Sequence, residues 1–349
     1  MDTTVTISAS SESRAPARGR RRILVLIVGL ILLAVSCAAS LAIGSKFLPV
    51  DEVIHSLTHP GSGAADTSVV ITLRLPRTAI ALAVGVALGV AGALVQAVTR
   101  NPLADPGLLG VSSGSAFAVA LAVGFFGLDS AGQYVWFAFG GALVATVVVS
   151  IVGGTGRGPA SPARLTLAGL AFGAVLSGIT SSIVLSDPSR FESIQAWQSG
   201  SLTDRSWDVL LPVVPFLAVG VVLAAALGRP LNAIVLGDEQ ARALGVPVTV
   251  VRVLAVVALT LLAGGATAIA GPIAFVGLMI PHVARFLVGP DQRWILVLTI
   301  VLAPSLLLIA DIIGRVVDWP GEIPAGLVTA AVGAPVLIYL VRRRKASAP

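Results

Sequence analysis

A polar stretch, Leu236-Gly-Asp-Glu-Gln-Ala-Arg-Ala-Leu-Gly-Val-Pro247, interrupts a chain that is otherwise mostly apolar. Asp238 is a good helix N-cap, because its carboxylate can accept hydrogen bonds from the free N–H groups of the first turn. Gly245 suits the left-handed residue that ends a helix, and Pro247 prevents the helix from continuing. The stretch therefore predicts a short helix near 238–245, well below the ~12–15 residues that a helix needs to persist alone in water.

This short helix has two interpretations. It could be a capped turn that only joins two membrane helices, which is the ordinary role of a connecting loop. It could instead be a docking element that is held in place by a partner protein. The organisation of the rest of the chain decides between them.

The composition is that of a membrane protein. The 349 residues are 56% hydrophobic and only 11% charged, and the mean hydropathy of +0.97 exceeds that of soluble domains. The net charge is +6, but the basic residues lie in loops between apolar stretches, which does not indicate a nucleic-acid surface. The single cysteine, Cys37, excludes an intrachain disulfide and a cysteine-based metal site.

Nine stretches contain no Asp, Glu, Lys or Arg and have the length of a membrane span or more. They are 23–45, 78–99, 106–128, 130–156, 165–186, 209–228, 253–284, 294–310 and 323–341. The stretch 253–284 would be about 48 Å long as one straight helix. It contains a helix-breaking Ala270-Gly-Pro272 sequence, so we interpret it as two spans joined by a tight turn near 271–272.

The charge distribution agrees with ten spans. Both termini are Arg-rich and therefore expected in the cytoplasm, which requires an even number of crossings. With ten spans the cytoplasmic segments hold 17 Lys+Arg and 6 Asp+Glu, and the outer segments hold 6 and 11. This places the 238–245 helix in the cytoplasm. We expect residues 1–22 to be a disordered, Arg-rich tail and residues 23–345 to form one transmembrane domain.

Several kinds of site are absent from the sequence. No Gly-Lys pair occurs, so the chain lacks a phosphate-binding loop of the Walker type. His55 and His59 lack a third ligand, and we expect no metal site. Few ionisable residues lie deep in a span, which disfavours an ion-coupled carrier. The glycines at 85, 89 and 92 are typical of close helix packing in lipid.

A series of longer motifs, in order over roughly 70–342, resembles the iron-siderophore, cobalamin and heme permease family of ABC importers. They are Leu73-Arg-Leu-Pro-Arg77, Ala91-Gly-Ala-Leu-Val-Gln96, Thr99-Arg-Asn-Pro-Leu-Ala-Asp-Pro-Gly-Leu-Leu-Gly-Val-Ser-Ser-Gly114, Gly237-Asp-Glu-Gln-Ala-Arg-Ala-Leu-Gly245, Gly271-Pro-Ile-Ala-Phe-Val-Gly-Leu-Met-Ile-Pro-His282, Ala310-Asp-Ile-Ile-Gly-Arg315 and Glu322-Ile-Pro-Ala-Gly-Leu-Val-Thr329. The 99–114 motif is most similar to that of ferric-siderophore members.

The resemblance implies an all-α membrane protein of about ten transmembrane helices with the type II ABC importer permease fold, in the cell membrane. It implies a second permease subunit (identical or a paralogue), two cytoplasmic ATPases that use ATP and Mg, and an extracytoplasmic substrate-binding protein. The chain itself would catalyse no reaction and bind no cofactor. An iron-siderophore complex is the expected substrate; cobalamin or heme is the alternative within the family, and an ion-coupled secondary transporter is the alternative of another class.

Three groups of site residues follow, the first two from the resemblance. The ATPase-coupling residues would be Gly237, Asp238, Glu239, Arg242, Leu244 and Gly245. The residues that dock the binding protein would be Arg74, Arg77 and Arg315, for which lipid anchoring or a local pair with Asp311 or Asp318 is the alternative. Gly169, Gly173, Ser177 and Thr180 are candidates for the translocation path, with small-residue packing as the alternative.

Overall fold

The computed structural model describes residues 14–44, 46–61, 64–128, 130–154, 162–186 and 194–345. All regular secondary structure within these ranges is helical. The predicted all-α class is therefore confirmed for the described part of the chain.

The helices are numbered in chain order. The N-terminal half contains α1 (Arg14–Ala42), α2 (Val50–Thr58), α3 (Ala65–Ser68), α4 (Leu75–Thr99), α5 (Val111–Phe126), α6 (Ala131–Gly154) and α7 (Pro162–Ser186). A π-helical segment, Val69–Arg74, joins α3 to α4, and a 3-10 turn, Pro106–Leu109, precedes α5. The C-terminal half contains a helical turn at 194–198, α8 (Trp207–Leu210), α9 (Val214–Leu236), α10 (Asp238–Ala243), α11 (Val248–Ala270), α12 (Val276–Val288), α13 (Gln292–Val317) and α14 (Ala325–Lys345).

Seven helical segments of the described chain are long and apolar enough to cross a membrane, and the shorter apolar helices α5, α12 and α14 add three. Together they give the ten spans that the sequence predicts. The long uncharged stretch divides as expected, because α11 ends at Ala270 and α12 begins at Val276. Gly271 takes a φ of +75° at the break, a conformation that glycine adopts without a steric penalty.

The N-terminal boundary differs from the expectation. Helix α1 begins at Arg14, so residues 14–22, which we assigned to a disordered tail, are helical. Residues 1–13 of the expected tail lie outside the described residues. The arginines do not stop the helix, because Arg is a good helix former and an apolar stretch follows directly.

Helix α4 is the centre of the bundle and is in contact with α9, α11, α12 and α13. Its glycines allow this close packing. A Cβ added to Gly85 would lie 2.4 Å from Pro304 Cα, and one added to Gly92 would lie 1.8 Å from the Gly277 carbonyl oxygen. Because no side chain fits at these crossings, the glycines bring the backbones together, and the packing interpretation is confirmed.

The helices around α4 place the predicted coupling helix and the predicted docking arginines at opposite ends of α4. Helix α1 packs on α13, while α5, α6 and α7 form a group that joins the centre mainly through α6 and α11. The C-terminus of α1 therefore meets the start of α4 and the end of α13. At the other end of the bundle, α10 lies close to the end of α4 and the start of α11.

Candidate functional site

The helix α10 begins one residue away from the predicted cap. Gly237 occupies the N-cap position with φ +128° and ψ 156°, and no side chain accepts a capping hydrogen bond there. Asp238 is the first helical residue, so the prediction that it caps the helix is wrong. The φ of +128° at Gly237 is one that L side chains rarely adopt, so a residue with a capping side chain is disfavoured at this position.

The C-terminus of α10 is closed by the predicted glycine. Gly245 has a φ of +79°, donates to the Arg242 carbonyl at 2.9 Å, and is followed by Val246, which donates to the Ala241 carbonyl at 2.9 Å. This pair of bonds is a Schellman motif and satisfies carbonyls that the helix leaves free. The predicted left-handed closure is confirmed.

The Asp238 carboxylate ties α10 to two membrane spans. One oxygen lies 2.9 Å from the Arg252 guanidinium on α11 and 3.4 Å from the Arg100 guanidinium, which follows the last residue of α4. Arg100 itself has a φ of +52°, the left-handed end of α4. The carboxylate that the sequence suggested as a cap is thus the contact between α10 and the spans.

The outward side of α10 is free for a partner. The side chains of Glu239 and Arg242 are exposed and do not pair with each other in the described structure. Leu244 is 66% exposed, and Leu236, just before the helix, is 65% exposed. Exposed leucines beside unpaired charges form a surface with both apolar and ionic contacts to offer.

At the other end of α4, Arg77 and Arg315 share one carboxylate. Arg77 donates to the Asp311 carboxylate at 2.7 Å and to the Glu322 carboxylate at 2.8 Å. Arg315 donates to the second Asp311 oxygen at 2.7 Å. The Asp311 side chain is only 1% exposed. The local pair with Asp311, which was the alternative to docking, is therefore present for both arginines.

Arg74 and Arg315 also close the C-terminus of α1. Arg74 donates to the carbonyls of Leu41 and Ala42 at 2.7 and 2.8 Å, and to that of Lys46. Arg315 donates to the carbonyls of Ser40 and Ile43 at 3.0 and 2.8 Å. The last carbonyls of a helix lack intrahelical partners, and the two guanidiniums donate the missing hydrogen bonds to them. Arg74 and Arg315 are 5% and 3% exposed, so they are not the free rim charges that the docking interpretation assumed.

A pocket of about 410 Å³ nevertheless opens beside this cluster, and its lining includes Arg74, Arg77, Arg205, Arg315, Asp204 and Glu322. With Asp311 behind the arginines, four positive and three negative side chains leave a net charge of +1. Burial raises the pKa of the Glu322 carboxyl, but the charge of Arg77 and hydrogen bonds from Arg77 and Thr203 outweigh it and hold that pKa below its usual value. The pocket is therefore weakly attractive to an anionic group.

The path candidates on α7 are mostly packed inside the subunit. A Cβ on Gly169 would lie 1.8 Å from the Leu108 carbonyl oxygen, and one on Gly173 would lie 3.0 Å from the Ser113 hydroxyl. Thr180 is 4% exposed and donates to the Leu176 carbonyl at 2.8 Å. Gly169 packs against the turn before α5 and Gly173 against α5, while Thr180 is buried and bonded within α7, so the packing alternative describes these three residues. Only Ser177 lies on the exposed face.

Comparison with known proteins identifies the group to which this fold belongs. The model of the FecCD transport family matches residues 31–343. The chain belongs to the FecCD transport family. It is 50% identical over 316 residues to the ferric enterobactin transport system permease protein FepD of Escherichia coli (strain K12), covering 90% of this chain and 94% of FepD.

Other similar proteins agree with the family. The chain is 39% identical over 342 residues to the iron(3+)-hydroxamate import system permease protein FhuB of Bacillus subtilis (strain 168), covering 97% of this chain and 88% of FhuB. Among solved structures, it matches an inward-facing conformation of a metal-chelate type ABC transporter with a TM-score of 0.81 and 30% identity, over 91% of this chain and 98% of that one. The predicted permease fold is confirmed.

Sequence reasoning missed three members of these sites. Asp238 binds Arg100, 138 positions earlier in the chain, and Arg252, 14 positions later and on the next span; no local pattern connects either arginine with it. Glu322 was part of a recognised family motif, but its pairing with Arg77 spans 245 positions. The only available signal was the presence of each charge at the end of an apolar stretch.

Proposed function

We propose that this chain is the membrane-spanning permease subunit of an ATP-driven importer that carries ferric siderophore complexes across the cytoplasmic membrane. The observation that carries the proposal is the similarity over nearly the whole chain to the ferric enterobactin permease FepD and the iron(3+)-hydroxamate permease FhuB. Import of heme is the second candidate, because the hemin transport system permease protein HmuU of Yersinia pestis is 34% identical over 321 residues.

In this proposal α10 is the element that receives movement from a cytoplasmic ATPase. ATP and Mg bind to that partner and not to this chain. The exposed Leu244 and Glu239 would contact the ATPase, while Asp238 passes the displacement to Arg100 and Arg252. The Schellman closure supports this role, because it keeps a six-residue helix intact while a partner presses on it.

We also propose that an extracytoplasmic binding protein docks at the opposite end, over the pocket lined by Arg74, Arg77 and Arg315. The residual positive charge of this pocket would receive an acidic side chain. Since Arg74 and Arg315 are buried, the incoming carboxylate would have to enter the pocket and not meet a charged rim.

A second permease subunit, either identical or a paralogue, would complete the path. Helix α7 supports this assignment, because one side of it packs inside the subunit while residues such as Val175, Ser177 and Ile179 are exposed. Ser177 is the path residue that we retain from the sequence analysis. Both termini and α10 would lie in the cytoplasm, as the charge distribution of the segments indicates.

The decisive experiment measures uptake by a strain that lacks this chain, with and without the chain restored. Labelled ferric enterobactin, a ferric hydroxamate, ferric citrate, cobalamin and hemin are offered one at a time. We expect the restored chain to support uptake of at least one ferric siderophore and not of cobalamin or hemin. Restoration of cobalamin or hemin uptake alone would contradict the substrate assignment, and loss of uptake on collapsing the ion gradients with ATP maintained would favour the ion-coupled alternative.

A further inference from the structure

A deep apolar groove lies between α6 and α11, bounded by the end of α4 and the start of α7. It has a volume of about 700 Å³. Its walls include Val147 and Ser150 from α6 and Val253 and Val256 from α11. These helices have the length and apolar composition of membrane spans, and Val147 and Val253 are 47% and 57% exposed, so the groove opens on the surface of the subunit.

The groove has the length of one half of a bilayer. Along α11 it runs from Thr249 to Leu261, which at 1.5 Å per residue is about 18 Å. One leaflet contributes roughly 15 Å to a hydrocarbon core of ~30 Å. An acyl chain that enters at the end near α10 would therefore reach the bilayer centre at the closed end of the groove.

The mouth of the groove is positively charged. Arg242 of α10 and Arg252 of α11 both line it, and no acidic residue of the described chain does. Arg252 is shared with Asp238, but the Arg242 guanidinium has no ion pair or hydrogen bond with any described residue. Arg100 and Arg252 both contact the Asp238 carboxylate, and with Arg242 and Glu239 included the local charge is +1.

A polar atom inside the groove also lacks a partner. The Ser150 hydroxyl is buried and makes no hydrogen bond. The nearby Thr146 and Thr260 hydroxyls each donate to the carbonyl one turn earlier, at 2.8 Å, and are satisfied. A buried hydroxyl without a partner is costly, so Ser150 points to an occupant that offers an acceptor or donor.

We propose that this groove binds an anionic phospholipid of the inner leaflet, with its phosphate between Arg242 and Arg252, its ester region near Ser150 and one acyl chain along α6 and α11. The side of the membrane rests on the proposed function. Basic pockets between spans on the cytoplasmic side are suited to anionic headgroups. The lipid would join α10 to α11 through Arg242, adding support to a helix that is too short to be stable alone.

Native mass spectrometry of the purified permease–ATPase complex tests the proposal. The complex is exchanged into detergent with phosphatidylglycerol or phosphatidylcholine of identical acyl chains, and the lipid molecules retained per permease are counted. We expect retention of phosphatidylglycerol at least five-fold above phosphatidylcholine, because phosphatidylglycerol has a net negative charge, whereas the choline cation of phosphatidylcholine neutralises its phosphate and would lie close to the arginines. Arg242→Gln should lower this preference about five-fold, the typical effect of one basic residue near an anionic surface. Equal retention of both lipids would overturn the proposal.

A second variant tests the groove itself. Val253→Trp fills the groove and should reduce the retained phosphatidylglycerol to the level of phosphatidylcholine. Val222→Trp is the matched control, because Val222 is 67% exposed on α9 and does not line the groove. If Val253→Trp keeps the wild-type lipid count, or loses the ATPase while retaining lipid, the groove does not hold the phospholipid. Lipid retention is measured without transport, so its failure is distinct from a failure of the uptake experiment.

Discussion

The two ends of α4 both carry arginines paired with carboxylates, but the two clusters differ in burial and in saturation. At the Arg77 end lies what we call the Asp311 cluster (Arg77, Asp311, Arg315 and Glu322), in which the Asp311 and Arg315 side chains are 1% and 3% exposed and each Asp311 oxygen accepts from a guanidinium. At the end near α10, the Asp238 and Arg100 side chains are 21% and 38% exposed, and one Asp238 oxygen serves both arginines.

This difference indicates two mechanical roles. A buried ionic cluster with several hydrogen bonds cannot lose one member without leaving a charge in a low-dielectric environment, so it fixes the geometry of α1, α4 and α13. A half-exposed pair contributes little to stability and can rearrange, because water replaces the lost contact. The Asp311 cluster therefore fixes the positions of α1, α4 and α13 relative to one another, whereas the Asp238 pair can rearrange when α10 moves.

The largest expected effect comes from removing the charge of Asp311. Asp311→Asn leaves two buried guanidiniums without their carboxylate, and we expect it to lower the free energy of unfolding by about 3–5 kcal/mol. The apparent Tm of the detergent-solubilised complex should fall by many degrees. Glu322→Gln is the matched control, because the Glu322 side chain is 30% exposed and water can solvate Arg77 when the charge is lost. An unchanged Tm for Asp311→Asn would show that the Asp311 cluster does not hold α1, α4 and α13 together.

The next prediction separates the backbone strain caused by substituting a left-handed glycine from the loss of transport. Gly245→Val forces a β-branched residue into the left-handed region, at a cost of roughly 1–2 kcal/mol. Gly127→Val is an equivalent substitution, because Gly127 ends α5 with φ +65° and an added Cβ meets no atom within 4 Å at either glycine. We expect a similar loss of Tm for both variants, but loss of siderophore uptake with retained ATPase activity only for Gly245→Val. Equal uptake by the two variants would contradict the role of α10.

The same contrast explains what the sequence could predict. The ten spans, the division at Ala270-Gly-Pro272 and the Gly245 closure are local features, encoded by stretches of apolar residues and by single glycines whose conformational range is known. Helix α10 could be placed at the correct position for the same reason.

The charge clusters could not be predicted in this way. Arg77 and Asp311 are 234 positions apart, and Arg100 and Asp238 are 138 apart, so their pairing depends on how the spans pack and not on any local pattern. The docking hypothesis for Arg74 and Arg315 treated outer arginines as surface groups. It overlooked the free carbonyls at the end of α1, which both arginines satisfy in the interior.

The Asp238 pair is tested by a substitution that should affect stability only slightly and transport strongly. Asp238→Asn weakens a half-exposed pair and should cost only about 0.2–1 kcal/mol. Asp66→Asn is the matched control, since the Asp66 side chain is 22% exposed against 21% for Asp238 and also pairs with a base, Lys46. We expect both variants to keep the wild-type Tm within a few degrees, and only Asp238→Asn to reduce uptake per ATP hydrolysed. Equal coupling ratios would show that α10 acts through other contacts.

The smallest expected effect is a pH dependence of stability that is due to Glu322. The charge of Arg77 and hydrogen bonds from Arg77 and Thr203 outweigh the effect of burial and hold the pKa of Glu322 below its usual value of 4.5. The contribution of Glu322 to stability is thus present above pH 4.5 and is lost as the pH falls through the folded pKa.

We expect Glu322→Gln to flatten the fall in apparent Tm as the pH is lowered from 6 to 3, because the variant has no carboxylate to neutralise. The measurement is the slope of Tm against pH for the wild-type protein and for the variant. Equal slopes would contradict a stabilising role of the ionised Glu322 carboxylate.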